Sequence, residues 1–246
     1  MQEMPFKAPL VVGYKGEIGS FILQGLLRSM PKAKDIWCFD INETEQEKIA
    51  RIKKSDVIFL CIPMQDTVAW FKKYAKYIRF KTVIEQCSLK EKIYKEIWKN
   101  AIKSDFILLS MHILFRPSNT PDKKDRSVAL IDYDQWIGSL RLVNAVKEIT
   151  DSQIVWFSNR KVHDMTMAYQ QALVHRILLI MGDMLRGLPG ETYISKRVKE
   201  LEQRIRLGDP ILYKLIQKNQ YLPEVRKDFN KRLRSFNITK EMKQEK

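Results

Sequence analysis

The stretch VVGYKGEIGSF at residues 11–21 decides the fold, because it places three glycines between an apolar run and a helical pattern. Gly13, Gly16 and Gly19 follow the run APLVVG, and apolar residues then recur with helical spacing. Such a turn lets the backbone approach a bound phosphate, and the first helical turn offers it free N–H groups. The usual spacing is GxGxxG, and Tyr14 stands here at the position of its first glycine. A tight strand-to-helix turn without any ligand is the alternative interpretation.

The apolar run DIWCFD at residues 35–40 predicts a second strand, which ends in Asp40. A carboxylate about 20 residues beyond the last glycine can accept hydrogen bonds from both ribose hydroxyls of an adenosine. It would also repel a 2′-phosphate, so NAD is favoured over NADP as the cofactor. Asp40 could instead cap the helix that follows. The predicted cofactor-binding residues are Gly13, Tyr14, Gly16, Glu17, Ile18, Gly19, Asp40 and Pro63.

Short apolar runs recur through the first half of the chain, and most are separated by stretches with helical spacing. Runs of this length, rich in Val, Ile, Phe and Leu, are typical of buried strands. Strands that alternate with helices predict an α/β fold, in which a doubly wound parallel sheet is covered on both faces. The segment 116–126 is polar and has two prolines, which indicates a surface loop. The predicted strands are 8–13, 35–40, 56–63, 82–87, 105–111, 127–132 and 153–158, with a helix over 134–149.

The second half of the chain has a different pattern, without further strands. Residues 160–187 show helical periodicity with apolar positions on more than one face, so this helix should pack in a bundle or against a second subunit. Gly187, Pro189 and Gly190 end it, and further helices follow over 191–246. The sequence therefore predicts two domains, a dinucleotide-binding domain over 1–158 and an all-helical domain over 159–246.

The charge balance is unusual, because 44 Lys and Arg stand against 29 Asp and Glu in 246 residues, a formal net charge of +15. Such a surplus attracts anions, which include nucleic acid, a membrane surface and small anionic substrates. From residue 159 onward there are 19 basic and 10 acidic residues. A basic nucleic-acid-binding module with a nucleotide-binding core is thus an alternative, although no strand interleaves aromatic and basic residues.

The remaining composition narrows the class further. No apolar run is long enough for a membrane span, and the N-terminal stretch does not read as a signal peptide. Cys38, Cys61 and Cys87 form no metal-binding or disulfide spacing, so no metal site is expected. A cytoplasmic protein fits this pattern.

The three histidines complete a set of motifs that resembles the prephenate dehydrogenase family, which includes arogenate dehydrogenases. His112 follows the predicted fifth strand, and His163 and His175 lie twelve residues apart on the long helix, on what we interpret as one face. The likeness covers about residues 9 to 230. The motifs that carry it are HILFRP from His112, SLK from Ser88, HD at 163–164, ALVH at 172–175, GDPILY at 208–213 and DVIFLCIP at 56–63.

The resemblance implies a Rossmann domain followed by an all-helical domain that joins two subunits in a homodimer. It also implies oxidative decarboxylation of prephenate to 4-hydroxyphenylpyruvate in tyrosine biosynthesis, with transfer of a hydride to NAD. His112 would accept the proton of the C4 hydroxyl, and Ser88 would hydrogen-bond to that hydroxyl or orient His112. Residues expected to bind the small dicarboxylate substrate are His163, His175, Arg116, Lys218 and Gln220.

The sequence departs from the family pattern at several of these positions. Ile113 and Arg116 stand where the family has Pro and Gly, and Arg116 could clamp a carboxylate or be a solvated loop residue. Gln220 stands where the family usually has an arginine that binds a substrate carboxylate, with Lys218 and Arg226 nearby. A related dehydrogenase that acts on arogenate or another small carboxylate substrate is therefore the alternative within the enzyme class.

Overall fold

The computed structural model describes residues 4–101, 105–119, 122–137 and 140–236. They fall into two compact units, of which the first ends at His163 and the second begins at Asp164. The sequence places the boundary after residue 158, and the structure places it inside the helix that follows. Within the described ranges, no helix combines the length and apolarity needed to cross a membrane.

The first unit contains a seven-stranded sheet of order β2-β1-β3-β4-β5-β6-β7. Strands β1 to β5 run parallel, β6 is antiparallel to β5, and β7 is parallel to β6. The prediction of a parallel sheet is therefore wrong at one junction, where the described part of the connection from β5 to β6, residues 114–119 and 122–126, contains no crossover helix. The strands are β1 Pro9–Val12, β2 Trp37–Phe39, β3 Val57–Leu60, β4 Thr82–Glu85, β5 Ile107–Ile113, β6 Ser127–Ile131 and β7 Gln153–Phe157.

Helices cover both faces of this sheet, as the alternating pattern predicts. Successive strand residues point to opposite faces, so Val11 packs into one buried cluster and its neighbours Leu10 and Val12 into the other. Ile22 of α1 lies in the first cluster, and Phe71 of α3 lies in the second. The helices of this unit are α1 Glu17–Ser29, α2 Glu45–Lys54, α3 Met64–Tyr74, α4 Glu91–Ala101, α5 Tyr133–Ile137 and α6 Leu140–Thr150. The described residues of the helix predicted over 134–149 lie in α5 and α6.

The glycine turn is shaped by close approaches between backbones. Gly13 has a φ of +80°, and a Cβ added there would lie 2.3 Å from the carbonyl oxygen of Cys61. A Cβ on Gly19 would lie 2.1 Å from the carbonyl oxygen of Gly13, whereas one on Gly16 would meet that oxygen at 3.4 Å. In the GxGxxG motif the first glycine makes the tight turn, and that position is Tyr14 in this sequence. Here Gly13, one residue earlier, makes the turn instead.

We expect Gly13→Ala to destabilise the first unit by about 2–4 kcal/mol, because it combines left-handed strain with a backbone clash. Gly16→Ala is the matched control in the same turn, and it should cost less than about 1 kcal/mol. Denaturant unfolding of both variants measures the difference. Equal stability of the two variants would contradict this account of the turn.

The second unit is helical, and its first segment is not a regular α-helix. The predicted helix over 160–187 is present as α7 Arg160–Met167, a π-helical stretch Ala168–Leu173 and α8 Val174–Leu185. Amide side chains bind carbonyl groups along it, since Gln217 Nε2 donates to Ala172 O at 2.9 Å and Asn219 Nδ2 to Asp164 O at 2.7 Å. The remaining helices are α9 Tyr193–Arg206, α10 Pro210–Ile216 and α11 Leu222–Ser235.

Candidate functional site

The carboxyl edge of the sheet holds the residues expected to bind the nucleotide. Asp40 directly follows β2, and its two carboxylate oxygens accept the backbone N–H groups of Lys15, at 3.0 Å, and Ile41, at 2.7 Å. The second-strand carboxylate is therefore tied to the glycine turn itself. Asp40 is not the cap of α2, because Thr44 caps that helix in a capping box with Glu47.

The other predicted cofactor residues surround the start of α1. Gly16 is the N-cap of α1 and has no side chain to satisfy the first N–H groups, so these groups stay available to an anion. Tyr14 and Ile18 pack against the core, and Pro63 is the exposed N-cap of α3 after β3. A helix N-terminus without a side-chain cap, next to a tight glycine turn, fits a dinucleotide pyrophosphate.

His112 and His163 form a buried pair within the first unit. His112 lies inside β5, one residue before its end, rather than after the strand as predicted. Its Nδ1 is 3.1 Å from Nε2 of His163, and the rings meet edge to face with centroids 5.3 Å apart. Phe157 of β7 contacts the His163 ring in the same edge-on manner, at 5.1 Å.

The surroundings of His112 hold its imidazole neutral. Burial lowers the pKa of His112 well below 6.5, and the nearby positive charges that His163 and Lys90 carry when protonated lower it further. A neutral imidazole can accept a proton, which a protonated one cannot. The arrangement therefore suits a general base at the carboxyl edge of the sheet.

A buried ion pair supports the strand that carries His112. Lys90 Nζ donates to Glu85 Oε1 at 2.8 Å and to the carbonyl oxygen of Met111 at 2.7 Å. Glu85 Oε2 accepts the backbone N–H of Cys87 at 2.7 Å. Lys90 and Glu85 are 1% and 3% exposed, so neither charge is compensated by water. Lys90 thus links the end of β4 to the residue next to His112.

We expect Lys90→Met to cost about 3–5 kcal/mol of folding free energy, because it leaves the Glu85 carboxylate buried without its cation. Lys90→Met combined with Glu85→Gln should recover most of this loss. The control is Lys95→Met, which breaks the exposed pair with Glu91 and should change stability little. Denaturant unfolding tests all three. A Lys90→Met loss no larger than that of Lys95→Met would contradict the role of the buried pair.

Two predicted site residues lie on loops of the first unit. Ser88 is partly buried and stands three residues beyond the end of β4, and its hydrogen bond to substrate or to His112 stays a prediction. Arg116 is about half exposed, and its Nε donates to Glu17 Oε2 at 3.1 Å. The guanidinium is thus bound to the glycine turn. From the sequence, the alternatives were only a clamp for a carboxylate or a solvated loop residue.

The remaining predicted substrate residues lie in the second unit. His175 is partly buried and stacks on Tyr213 at 6.3 Å, and burial lowers the pKa of its imidazole. Its Nδ1 is buried without a hydrogen-bond partner among the described residues. Lys218 and Gln220 are exposed. The helix between His163 and His175 contains the π-helical stretch, so the regular α-helical spacing behind the shared-face prediction does not hold.

Sequence reasoning missed several polar residues of this region. Glu85 lies inside the run TVIEQC, and a carboxylate within a predicted buried strand was the available signal. Arg160 forms an ion pair with Asp132 and lies over the Tyr94 ring at 3.2 Å. Burial raises the pKa of Asp132, and the positive charge of Arg160 partly offsets this. These contacts anchor the first turn of α7, which carries His163.

The strand order, the covering helices and the glycine turn define a Rossmann-type nucleotide-binding fold followed by a helical unit. Residues 28–118 match the family model described as the nucleotide-binding domain of prephenate dehydrogenase. That segment includes Asp40, Ser88 and His112, and it begins after the glycine turn. A search of curated proteins finds no significant match.

Solved structures extend the likeness over both units. A prephenate dehydrogenase from Aquifex aeolicus, in complex with hydroxyphenyl propionate and NAD+, is 21% identical with a TM-score of 0.70, covering 99% of this chain and 94% of that one. An arogenate dehydrogenase from Synechocystis is 17% identical with a TM-score of 0.63, covering 93% and 90%. An imine reductase from Myxococcus stipitatus, in complex with NADP+, is 14% identical with a TM-score of 0.55, covering 81% and 73%. The family model supports the resemblance to the prephenate dehydrogenase family over residues 28–118, and the solved structures show that their fold is shared over most of this chain.

Proposed function

We propose that the protein is an NAD-dependent dehydrogenase that oxidises and decarboxylates prephenate or arogenate. The observation that carries this proposal is the buried, neutral His112 at the sheet edge that also holds Asp40 and the glycine turn. The family model over residues 28–118 supports a nucleotide-binding domain of this type. Asp40 favours NAD over NADP, because its carboxylate would repel a 2′-phosphate.

NAD, when bound, supplies the acceptor for the hydride that leaves C4 of the substrate ring. The glycine turn and Asp40 would hold the pyrophosphate and the adenosine ribose. His112 accepts the proton of the C4 hydroxyl as the C4–H bond breaks, and it returns that proton to the oxygen once the ring is aromatic. The ring becomes aromatic when the C1–carboxylate bond breaks, because carbon dioxide leaves and the bonding electrons stay in the ring. No net proton is consumed, since His112 returns the proton that it accepted.

The contact with His163 determines which nitrogen of His112 acts as the base. A free electron pair on Nε2 requires that Nδ1 carry the proton and donate to Nε2 of His163, which is 3.1 Å away. His163 would then fix both the tautomer and the orientation of the His112 ring. Ser88, His175, Lys218 and Gln220 are proposed to contact or orient the substrate, as the family resemblance implies.

The direct test mixes the purified protein with prephenate or arogenate and either NAD or NADP. The proposal expects NADH together with 4-hydroxyphenylpyruvate from prephenate, or tyrosine from arogenate. Absence of turnover with both substrates and both nucleotides would contradict it.

We expect kcat/KM to stay level at neutral pH and to fall in acid with a midpoint below 6.5, because protonated His112 cannot act as a base. His112→Asn should lower kcat by about 10²-fold or more and remove this acid limb, with little change in NAD affinity. A pH profile of both proteins measures these effects. A midpoint at or above 6.5, or an unchanged kcat, would exclude His112 as the base.

A second candidate is a dehydrogenase that acts on a different small carboxylate or on an imine. It is favoured by the exposed Gln220 at the position where the resemblance expects an arginine, and by the likeness to an imine reductase fold. Turnover of 2-hydroxy acids or imino acids, without turnover of prephenate or arogenate, would establish it.

We also propose that the second unit forms a homodimer. Large apolar side chains of α8 are exposed, among them Ile180 at 53% and Met184 at 72%. A contiguous apolar face of this kind is typical of a protein interface. The dimer is also what the family resemblance implies.

Met184→Lys should therefore shift the protein toward monomer, because it places a charge in the buried interface. Leu27→Lys is the control, since Leu27 is an exposed apolar residue of α1 in the first unit and should leave the dimer intact. Light scattering after size-exclusion chromatography gives the masses. A monomeric parent protein at micromolar concentration would overturn this proposal.

A further inference from the structure

Glu17 occupies an unusual place for an acidic residue in a site that would bind phosphates. It is the first residue of α1, directly after the N-cap Gly16. Its Oε1 accepts the backbone N–H of Ser118 at 2.6 Å, and its Oε2 accepts Nε of Arg116 at 3.1 Å. Burial raises the pKa of Glu17, but the hydrogen bonds from Ser118 and Arg116 and the charge of Arg116 outweigh it, so the net shift is downward. The carboxylate is thus charged at neutral pH.

The segment that provides these partners follows the strand that carries His112. Phe115 of this segment packs edge-on against Phe21 of α1, with ring centroids 5.4 Å apart. Arg116 and Ser118 then bind Glu17, so the segment is fastened to the first two turns of α1 by three successive contacts. Both of these polar contacts are made with the Glu17 carboxylate.

Two opposing effects act on a negative charge at this position. The free N–H groups at the start of α1 stabilise the Glu17 carboxylate as they would stabilise a phosphate. A carboxylate in the first helical turn also repels a pyrophosphate that binds to the same N–H groups. The Arg116 guanidinium cancels the charge of Glu17 and so removes this repulsion.

We propose that Glu17 and Arg116 form a charge-compensating pair that sets the affinity of the glycine turn for a dinucleotide pyrophosphate. This inference rests on the nucleotide binding in the proposed function. It assigns Arg116 to the cofactor side of the site and gives it a role other than a clamp for a substrate carboxylate. It makes residues 115–118, directly after β5, part of the nucleotide-binding site.

The test is the dissociation constant of NADH, measured by fluorescence titration of the full-length protein. Arg116→Ala should weaken binding roughly tenfold, because it leaves an uncompensated carboxylate beside the pyrophosphate. Glu17→Gln should bind NADH as tightly as the parent or more tightly, since it frees Arg116 and still offers an oxygen to Ser118. The double variant should return to within about threefold of the parent, as expected for directly coupled charges.

Lys123→Ala is the matched control, because it removes a cation from the same loop whose partner is Asp151. It should leave NADH binding unchanged. The effect of Arg116→Ala should also shrink at high ionic strength. If Glu17→Gln lost as much NADH affinity as Arg116→Ala, the pair would act only by holding the loop in place, and the inference would be overturned. An Arg116→Ala protein that binds NADH as tightly as the parent would also overturn the inference. A parent protein that binds no NADH would overturn the proposed function as well.

Discussion

The site depends on the length of β5 relative to its neighbour β4. The last residue of β4, Glu85, pairs with Ser110, and β5 continues for three more residues beyond that pair. Those residues pair with the antiparallel strand β6 instead, where His112 lies opposite Ala129. The His112 backbone is therefore held by a sheet although it projects past the edge where ligands of such folds bind. A loop histidine at the same place would lack this support.

Two ion pairs lie near the three residues by which β5 extends beyond β4. Lys90 and Glu85 neutralise each other in the core beneath them, and Arg160 and Asp132 do the same at the start of α7. Both pairs put rigid polar groups beside His112 and His163 without leaving a net charge there. Burial in these dry surroundings is the main cause that lowers the pKa of His112 and keeps it unprotonated, and the positive charges of His163, when protonated, and of Lys90 add to this effect. The same physical features that stabilise the fold therefore determine the protonation state of the proposed base.

Most of the first unit could be predicted from local patterns. Apolar runs located all seven strands, and the carboxylate at the end of β2 lies next to the glycine turn as expected. The direction of β6 was predicted wrongly, although the polar segment 116–126 between the fifth and sixth strands lacks the pattern of the crossover helix that a parallel pair needs. The positive φ of Gly13 could not be predicted, since it depends on the close approach of Cys61, the residue that follows β3.

The sequence indicates which residue types to consider for the candidate site, but not which side chains touch each other. The sequence singles out the three histidines, but only the fold shows that His112 and His163 touch. Lys90 would ordinarily be solvated, and its burial follows from a carboxylate five residues earlier in the chain. Arg116 looked free for a substrate, but Glu17, 99 residues away in sequence, binds it. The π-helical stretch has no periodicity of its own that a sequence pattern would reveal.

The central claim is that His112 is a neutral base whose Nδ1 is engaged by His163. The chain has three histidines, so nitrogen-detected NMR of labelled protein can follow each imidazole through a pH titration, with His112→Asn to assign the signal. The account predicts that His112 stays neutral well below pH 6.5 and carries its proton on Nδ1. Titration of His112 at or above pH 6.5, or a proton fixed on Nε2, would contradict it.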